Sequence, residues 1–181
     1  MVKRLFDIVF SFTGIVLLSW LLLLFWVVAA VDTCSNGFFF QKRVGQYGKL
    51  FTIYKLRTMR NGEISVVGAF LRNMKIDELP QLFNVLKGDM SIVGPRPDLE
   101  GYYDVLQGEE RKVLDLRPGL TSEASIKYFN EEALLKLQPN PLQYNDEVLF
   151  PDKVKMNLEY YYKKSFWLDL KIIFRTIFKN T

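Results

Sequence analysis

IVFSFTGIVLLSWLLLLFWVVAAV, from Ile8 to Val31, is a run of about 24 residues with no charged side chain. About 20 apolar residues cross a bilayer as a helix, so this stretch reads as a membrane helix and sets the rest of the chain beside a membrane. A secretory signal peptide is a poor match, because the run is too long and no small-x-small cleavage site follows it. A buried core helix is the other reading, and the length argues against it. Lys3 and Arg4 precede the run and Lys42 and Arg43 follow it, so basic residues at both ends leave the orientation undecided. A re-entrant helix that enters and leaves on one face would keep both basic flanks on that face. Gly14, Ser19 and Trp20 offer a weak point for such a bend, although no proline forces one. A straight span is the alternative.

The chain has 181 residues, enough for one compact domain with an appendage, and the expected division is a membrane helix over 1–34 and a compact body over 35–181. A net charge of +4 without a long basic run gives no nucleic-acid footprint and suits an anionic membrane surface better. Cys34 is the only cysteine and there is no histidine, which excludes an internal disulfide and argues against a zinc site or a Cys/His nucleophile. Any catalysis must use carboxylates, lysine, tyrosine, hydroxyls or a metal.

The body reads as α+β and mainly helical. Phe38–Phe40 and Leu50–Tyr54 predict short strands around a turn at Gly45–Gly48, a small β-hairpin. Strand side chains alternate, so Lys55 and Arg57 fall on one side, a spacing that suits a diphosphate or else a solvated strand edge. Ser65 to Lys75 predicts a helix with Val66, Val67, Phe70, Leu71 and Met74 as its stripe and Arg72 elsewhere. Tyr102 to Leu116 predicts another helix, Asn130 could cap one over Glu131–Leu137, and Pro139 to Pro151 reads as loop. Lys155 to Lys179 mixes aromatic and aliphatic residues with lysines, as in a helix lying in the headgroup layer or a core helix with a basic outer face.

Between these pieces lies Lys75-Ile76-Asp77-Glu78-Leu79-Pro80-Gln81. Pro80 predicts a helix start near Leu79 or Pro80, and Leu79, Leu82, Phe83 and Leu86 form one stripe before the stop at Gly88. Asp77 and Glu78 then stand where the helix dipole favours negative charge. Adjacent ionised carboxylates repel, so one takes up a proton unless a cation compensates, and Mg²⁺ fits such a pair together with phosphate oxygens. The plainer reading is a pair of capping acids. Downstream, Gly94-Pro95-Arg96-Pro97 holds an arginine between two prolines, either pre-organised for bidentate phosphate binding or an ordinary loop arginine.

The order of the apolar helix, Tyr54-Lys55-Leu56-Arg57-Thr58-Met59, Asp77-Glu78-Leu79-Pro80-Gln81, Gly88 to Pro97, and Arg117-Pro118-Gly119-Leu120-Thr121 resembles the bacterial sugar transferase family, the monotopic phosphoglycosyl transferases, in a short form with only the catalytic core. The resemblance covers nearly the whole chain. It implies a re-entrant N-terminal membrane helix, a cytosolic catalytic domain with membrane-interface helices, and a place at the bacterial inner membrane on its cytoplasmic face. It also implies Mg²⁺, a UDP-sugar donor and a polyprenyl phosphate acceptor among membrane lipids, and it leaves pairing into a homodimer open. In that reading Asp77 is the nucleophile that forms a covalent phosphosugar-aspartate, Glu78 holds the metal, and Lys55, Arg57, Arg72 and Arg96 contact phosphate, with Gln81, Asp89, Pro95 and Pro97 in support. Two stretches depart from the family pattern. Ser19-Trp20 stands where Ser-Pro is common, and Ser122 to Tyr128 differs from the usual sequence after the Arg-Pro-Gly-Leu-Thr segment. The rival class is a non-catalytic membrane-anchored binding or scaffold protein; a multi-span transferase is disfavoured by the single apolar segment.

Overall fold

The computed structural model describes residues 2–178, in two compact units. Of the described residues, the first comprises 2–43 and 50–90, and the second 44–49 and 91–178. Lys179, the end of the basic-aromatic stretch, lies outside the described residues.

In the first unit, helix α1 runs from Val2 to Thr33 without interruption at Ser19-Trp20, where the Ser19 hydroxyl donates to the Val16 carbonyl at 2.9 Å. It is long and apolar enough to cross a membrane, and only 6% of its most apolar 18-residue window is buried, which separates it from the core helix of a soluble domain. Its two ends are the parts that pack. Near the start, Arg4 reaches α3 (Gln81–Lys87), Asp7 and Ser11 are buried, and a Cβ on Gly14 would stand 3.3 Å from the Leu82 side chain. Near the end, Ala29 joins Leu56 and Leu71 in a core flanked by Trp26, Phe38, Val67 and Ile76. The Ser65 hydroxyl donates to the Asp32 carboxylate there.

Strands β1 (Phe38–Val44) and β2 (Leu50–Leu56) pair with each other and extend further than the predicted Phe38–Phe40 and Leu50–Tyr54. The pairing continues one residue past β2, where the Arg57 N–H donates to the Gly37 carbonyl at 2.8 Å. A second small ribbon joins β3 (Met59–Arg60) to β4 (Glu63–Ile64). Helix α2 (Val66–Asn73) starts at Ser65, whose hydroxyl accepts the Gly68 N–H at 2.8 Å, an ordinary N-cap. Its stripe is not one buried face. Leu71 is buried, but Val66, Phe70 and Met74, three residues at helical spacing, are exposed.

In the second unit, the buried strand β5 (Ser91–Val93) runs parallel to β6 (Gly119–Thr121). β6 was not apparent from the sequence. The two backbones approach closely at glycines: a Cβ on Gly94 would fall 2.2 Å from the Arg117 carbonyl oxygen, and one on Gly119 would fall 2.1 Å from the Gly94 nitrogen. Val44, Tyr103, Leu106, Val113, Leu114 and Val154 form a hydrophobic core of this unit.

Three local expectations are corrected. The predicted helix over 102–116 is two 3-10 segments, Tyr103–Val105 and Glu110–Asp115, separated by Gly108 at φ 56°. The expected loop 139–151 is helical, with α6 (Pro141–Tyr144), a π-type turn Asn145–Leu149, and the start of α7 (Phe150–Lys163). Pro141 and Pro151 sit in first helical turns, where a missing N–H costs nothing, and Asn140 caps α6. The basic-aromatic tail is divided: α7 ends at Lys163, and Ser165 caps α8 (Phe166–Ile177). Helix α5 (Glu131–Lys136) follows the short α4 (Glu123–Lys127), and Asn130 makes no side-chain cap. On α8, Asp169 and Ile172 face the protein, while Trp167, Phe174 and Ile177 are exposed.

Candidate active site

The connection between α2 and α3 is abrupt because three consecutive devices turn it. Lys75 adopts a left-handed conformation at φ 55°, which costs a non-glycine residue roughly 1–2 kcal/mol. A 3-10 turn follows over Ile76–Glu78, closed by the Leu79 N–H donating to the Ile76 carbonyl at 3.1 Å. Pro80, at φ −59°, then starts α3, which ends at Gly88 in the left-handed region at φ 103°. Start and stop match the sequence expectation. Asp77 and Glu78, however, stand in the 3-10 turn before the helix rather than in its first turn, so the helix dipole is not what governs them.

Asp77 is buried, only 6% exposed, and its Oδ1 has no hydrogen-bond partner. Burial pushes its carboxyl up to about 6, the Glu78 charge adds to the rise, and Lys55, Lys75 and Arg72 pull it back. Lys55 stands 3.2 Å from Glu78 Oε1, both side chains largely shielded from solvent. Arg72 is held by its Nε donating to the Thr58 hydroxyl at 2.9 Å, and Thr58 is itself buried. The structure therefore collects Asp77, Glu78, Lys55 and Arg72 around one point. Lys75 joins them; sequence reading assigned it no role, and no residue pattern marks a lysine whose left-handed backbone turns it toward an acid.

Arg57 lies just beyond β2 with its guanidinium 5.9 Å from the centre of the Phe39 ring and a buried Nε without a hydrogen-bond partner. Gln81 is buried. Asp89 pairs with Lys87 at 3.1 Å, at the far end of α3 from the acids. Arg96, Pro95 and Pro97 belong to the second unit: Pro95 is buried and its carbonyl accepts the Gly119 N–H at 2.8 Å, Arg96 is exposed, and Pro97 is half-buried.

A structural residue was also missed. Asn84 is fully buried; its Oδ1 accepts the Tyr54 N–H at 3.0 Å and its Nδ2 donates to the Thr52 carbonyl at 2.7 Å. This side chain serves the edge of β2 as a neighbouring strand would, and it fixes α3 to the strand that carries Lys55.

No group of three acidic, cysteine or histidine side chains converges among the described residues. Mg²⁺ takes one or two carboxylates and completes its shell with water and phosphate oxygens, so a carboxylate pair with an unpartnered buried oxygen fits it.

The bacterial sugar transferase family model matches residues 1–181. The chain is 36% identical over 200 residues to a UDP-glucose:undecaprenyl-phosphate glucose-1-phosphate transferase of Klebsiella pneumoniae, an alignment covering 98% of this chain and 40% of that protein. It is 33% identical over 189 residues to the uncharacterized sugar transferase EpsL of Bacillus subtilis, covering 98% and 86%. A UDP-glucose:undecaprenyl-phosphate glucose-1-phosphate transferase of Caulobacter vibrioides is 34% identical, over 97% of this chain and 68% of its own length. This chain thus spans about 40% of the Klebsiella protein and most of the Bacillus one. With the family model matching from end to end, the chain belongs to the bacterial sugar transferase family.

Proposed function

We propose that the protein is a membrane-bound phosphoglycosyl transferase that moves a phosphosugar from a UDP-sugar to polyprenyl phosphate, in a first membrane step of bacterial polysaccharide assembly. The observation that carries this is Asp77: a buried carboxylate with an unpartnered oxygen, ringed by Lys55, Arg72 and Lys75, in a chain of this family. The relatives' names supply the donor and acceptor classes.

Asp77 attacks the sugar-bearing phosphorus of the donor; the bond from that phosphorus to the UMP oxygen breaks, and UMP leaves with the electron pair. A polyprenyl phosphate oxygen then attacks the phosphosugar-aspartate, and the Asp77 carboxylate is released. Lys55, Arg57 and Arg72 bind phosphate oxygens, and the cations around Asp77 stabilise the charge that develops during transfer. With an acidity near pH 6, Asp77 is mostly ionised at neutral pH yet poorly solvated, which favours attack over protonation. Glu78 would hold Mg²⁺, which when bound supplies positive charge to the diphosphate.

Packing supports a monotopic arrangement. Arg4 and Ala29, near opposite ends of α1, both contact the first unit, and the exposed middle of α1 is left for lipid. In the second unit, the exposed Trp167, Phe174 and Ile177 of α8 suit a membrane interface layer.

The test is UMP release from a panel of UDP-sugars with Mg²⁺ and polyprenyl phosphate. Wild type releases UMP, Asp77→Asn does not, and a phosphosugar adduct is trapped on Asp77. Equal release by both proteins would remove Asp77 as nucleophile, and no release by either would favour a binding protein.

A further inference from the structure

The two faces of the β1–β2 pair differ in chemistry. Lys55 meets Glu78, and Arg57 beyond the strand meets Phe39. Tyr54, on the opposite face from Lys55 by strand alternation, joins a run of rings: Trp26 on α1 stacks on Phe38 at 5.9 Å, Phe38 on Phe40 at 6.0 Å, and Phe40 meets Tyr54 edge-on at 5.6 Å. Beside this run lies a groove of about 490 Å³ lined by Phe38, Phe40, Tyr54, Pro80, Phe83 and Leu86, with Lys87 at its edge.

We infer that this groove holds the first isoprene units of the lipid acceptor, beside the chain segment that carries Asp77; the inference rests on the acceptor being a polyprenyl phosphate. Three observations choose this occupant. Tyr54 and Pro80 line the groove and stand one and two residues from Lys55 and Glu78, so the groove runs along the backbone that carries the cationic cluster on its other face. The ring run joins the groove to Trp26 on the helix that meets the membrane, which gives a chain a continuous apolar path. Phe40 and Phe83 remain 54% and 45% exposed, a cost that an apolar occupant would relieve. The volume accommodates about three or four five-carbon units at interior packing density. Lys87, which also lines the groove, is engaged by Asp89 at 3.1 Å and lies 5.8 Å from the centre of the Tyr54 ring.

The experiment uses the full chain in lipid nanodiscs with a photoreactive polyprenyl phosphate whose diazirine sits in the first isoprene units. The expected label falls on peptides containing Phe40 and Phe83, is chased by excess polyprenyl phosphate, and is not chased by phosphatidic acid, which has the same head but acyl chains. Phe40→Ser with Phe83→Ser lowers labelling about fivefold or more, while Phe40→Leu with Phe83→Leu retains it. Both positions are exposed enough that folding does not depend on them, and circular dichroism of each variant checks this. Labelling confined to α1 or to the second unit, equal chase by phosphatidic acid, or no loss in the serine variant would overturn the inference. UMP release measured on the same preparation separates the two ideas. Expected labelling without UMP release refutes the transfer reading and leaves the groove, whereas UMP release with the label elsewhere refutes the groove alone.

Discussion

Arg4, in the first turn of α1, donates from Nη1 to the Val85 carbonyl at 2.7 Å and from Nη2 to the Leu86 carbonyl at 2.9 Å. A cation thus caps the C-terminus of α3, the helix that begins three residues beyond Glu78, and ties the start of the membrane helix to it. Arg4→Ala leaves two carbonyls without their charged donor and should lower stability by about 2 kcal/mol, read as a fall of several degrees in melting temperature in detergent. Arg4→Lys, which reaches one carbonyl at best, should recover about half. An unchanged melting temperature for Arg4→Ala would show the cap to be incidental.

Asp77 titrates near pH 6, and its proposed role needs the carboxylate. UMP release should therefore rise with pH through about 6 and level off above 7. A profile flat from pH 5 to 8 would contradict a nucleophile in this environment.

The same shift governs stability. The folded-state value lies above the unfolded one, so the fold prefers the protonated acid; that contribution is complete below about pH 4 and is lost as pH rises through 6. Asp77→Asn, which stays neutral, should be about 2–3 kcal/mol more stable than wild type at pH 7.5 and no more stable at pH 4. Denaturant melts at the two pH values check this.

Lys55 both pairs with Glu78 and lowers the Asp77 pKa. Lys55→Met should shift the pH profile of UMP release upward and reduce the rate by about 10²-fold, since a shielded cation beside developing charge is lost. A simple loss of phosphate affinity would instead raise KM for the donor and leave the profile in place.

Gly94→Ala sets a Cβ 2.2 Å from the Arg117 carbonyl oxygen, backbone that cannot swing aside. A loss of about 2–3 kcal/mol is expected, with Gly119→Ala similar. Tolerance of either substitution, measured by thermal melting, would mean that the β5–β6 approach is looser than described.

Topology is tested with Val2→Cys and Gly45→Cys, separately, in a Cys34→Ser background. Membrane-impermeant thiol reagent added to right-side-out cells should label neither, and added to inverted vesicles it should label both. Labelling on opposite sides would make α1 a straight span.

Much of this was legible in the sequence because it depends on local rules. An uncharged stretch of bilayer length gives α1, Ser65 and Gly88 bound α2 and α3 by capping chemistry, and Pro80 sets the start of the helix after the acids. Prolines misled at 141 and 151 because the same residue opens a helix as readily as it interrupts one. Residue types also nominated Asp77, Glu78 and Lys55, and the family resemblance added Arg72. What only the tertiary structure decided are the relations between distant segments: the burial that raises Asp77, the left-handed turn that adds Lys75, Asn84 serving as a strand edge, Arg4 on α3, and the pairing of β5 with β6. Solvation, close backbone approach and hydrogen bonds across 30 to 80 residues of chain are properties of packing, and no local pattern encodes them.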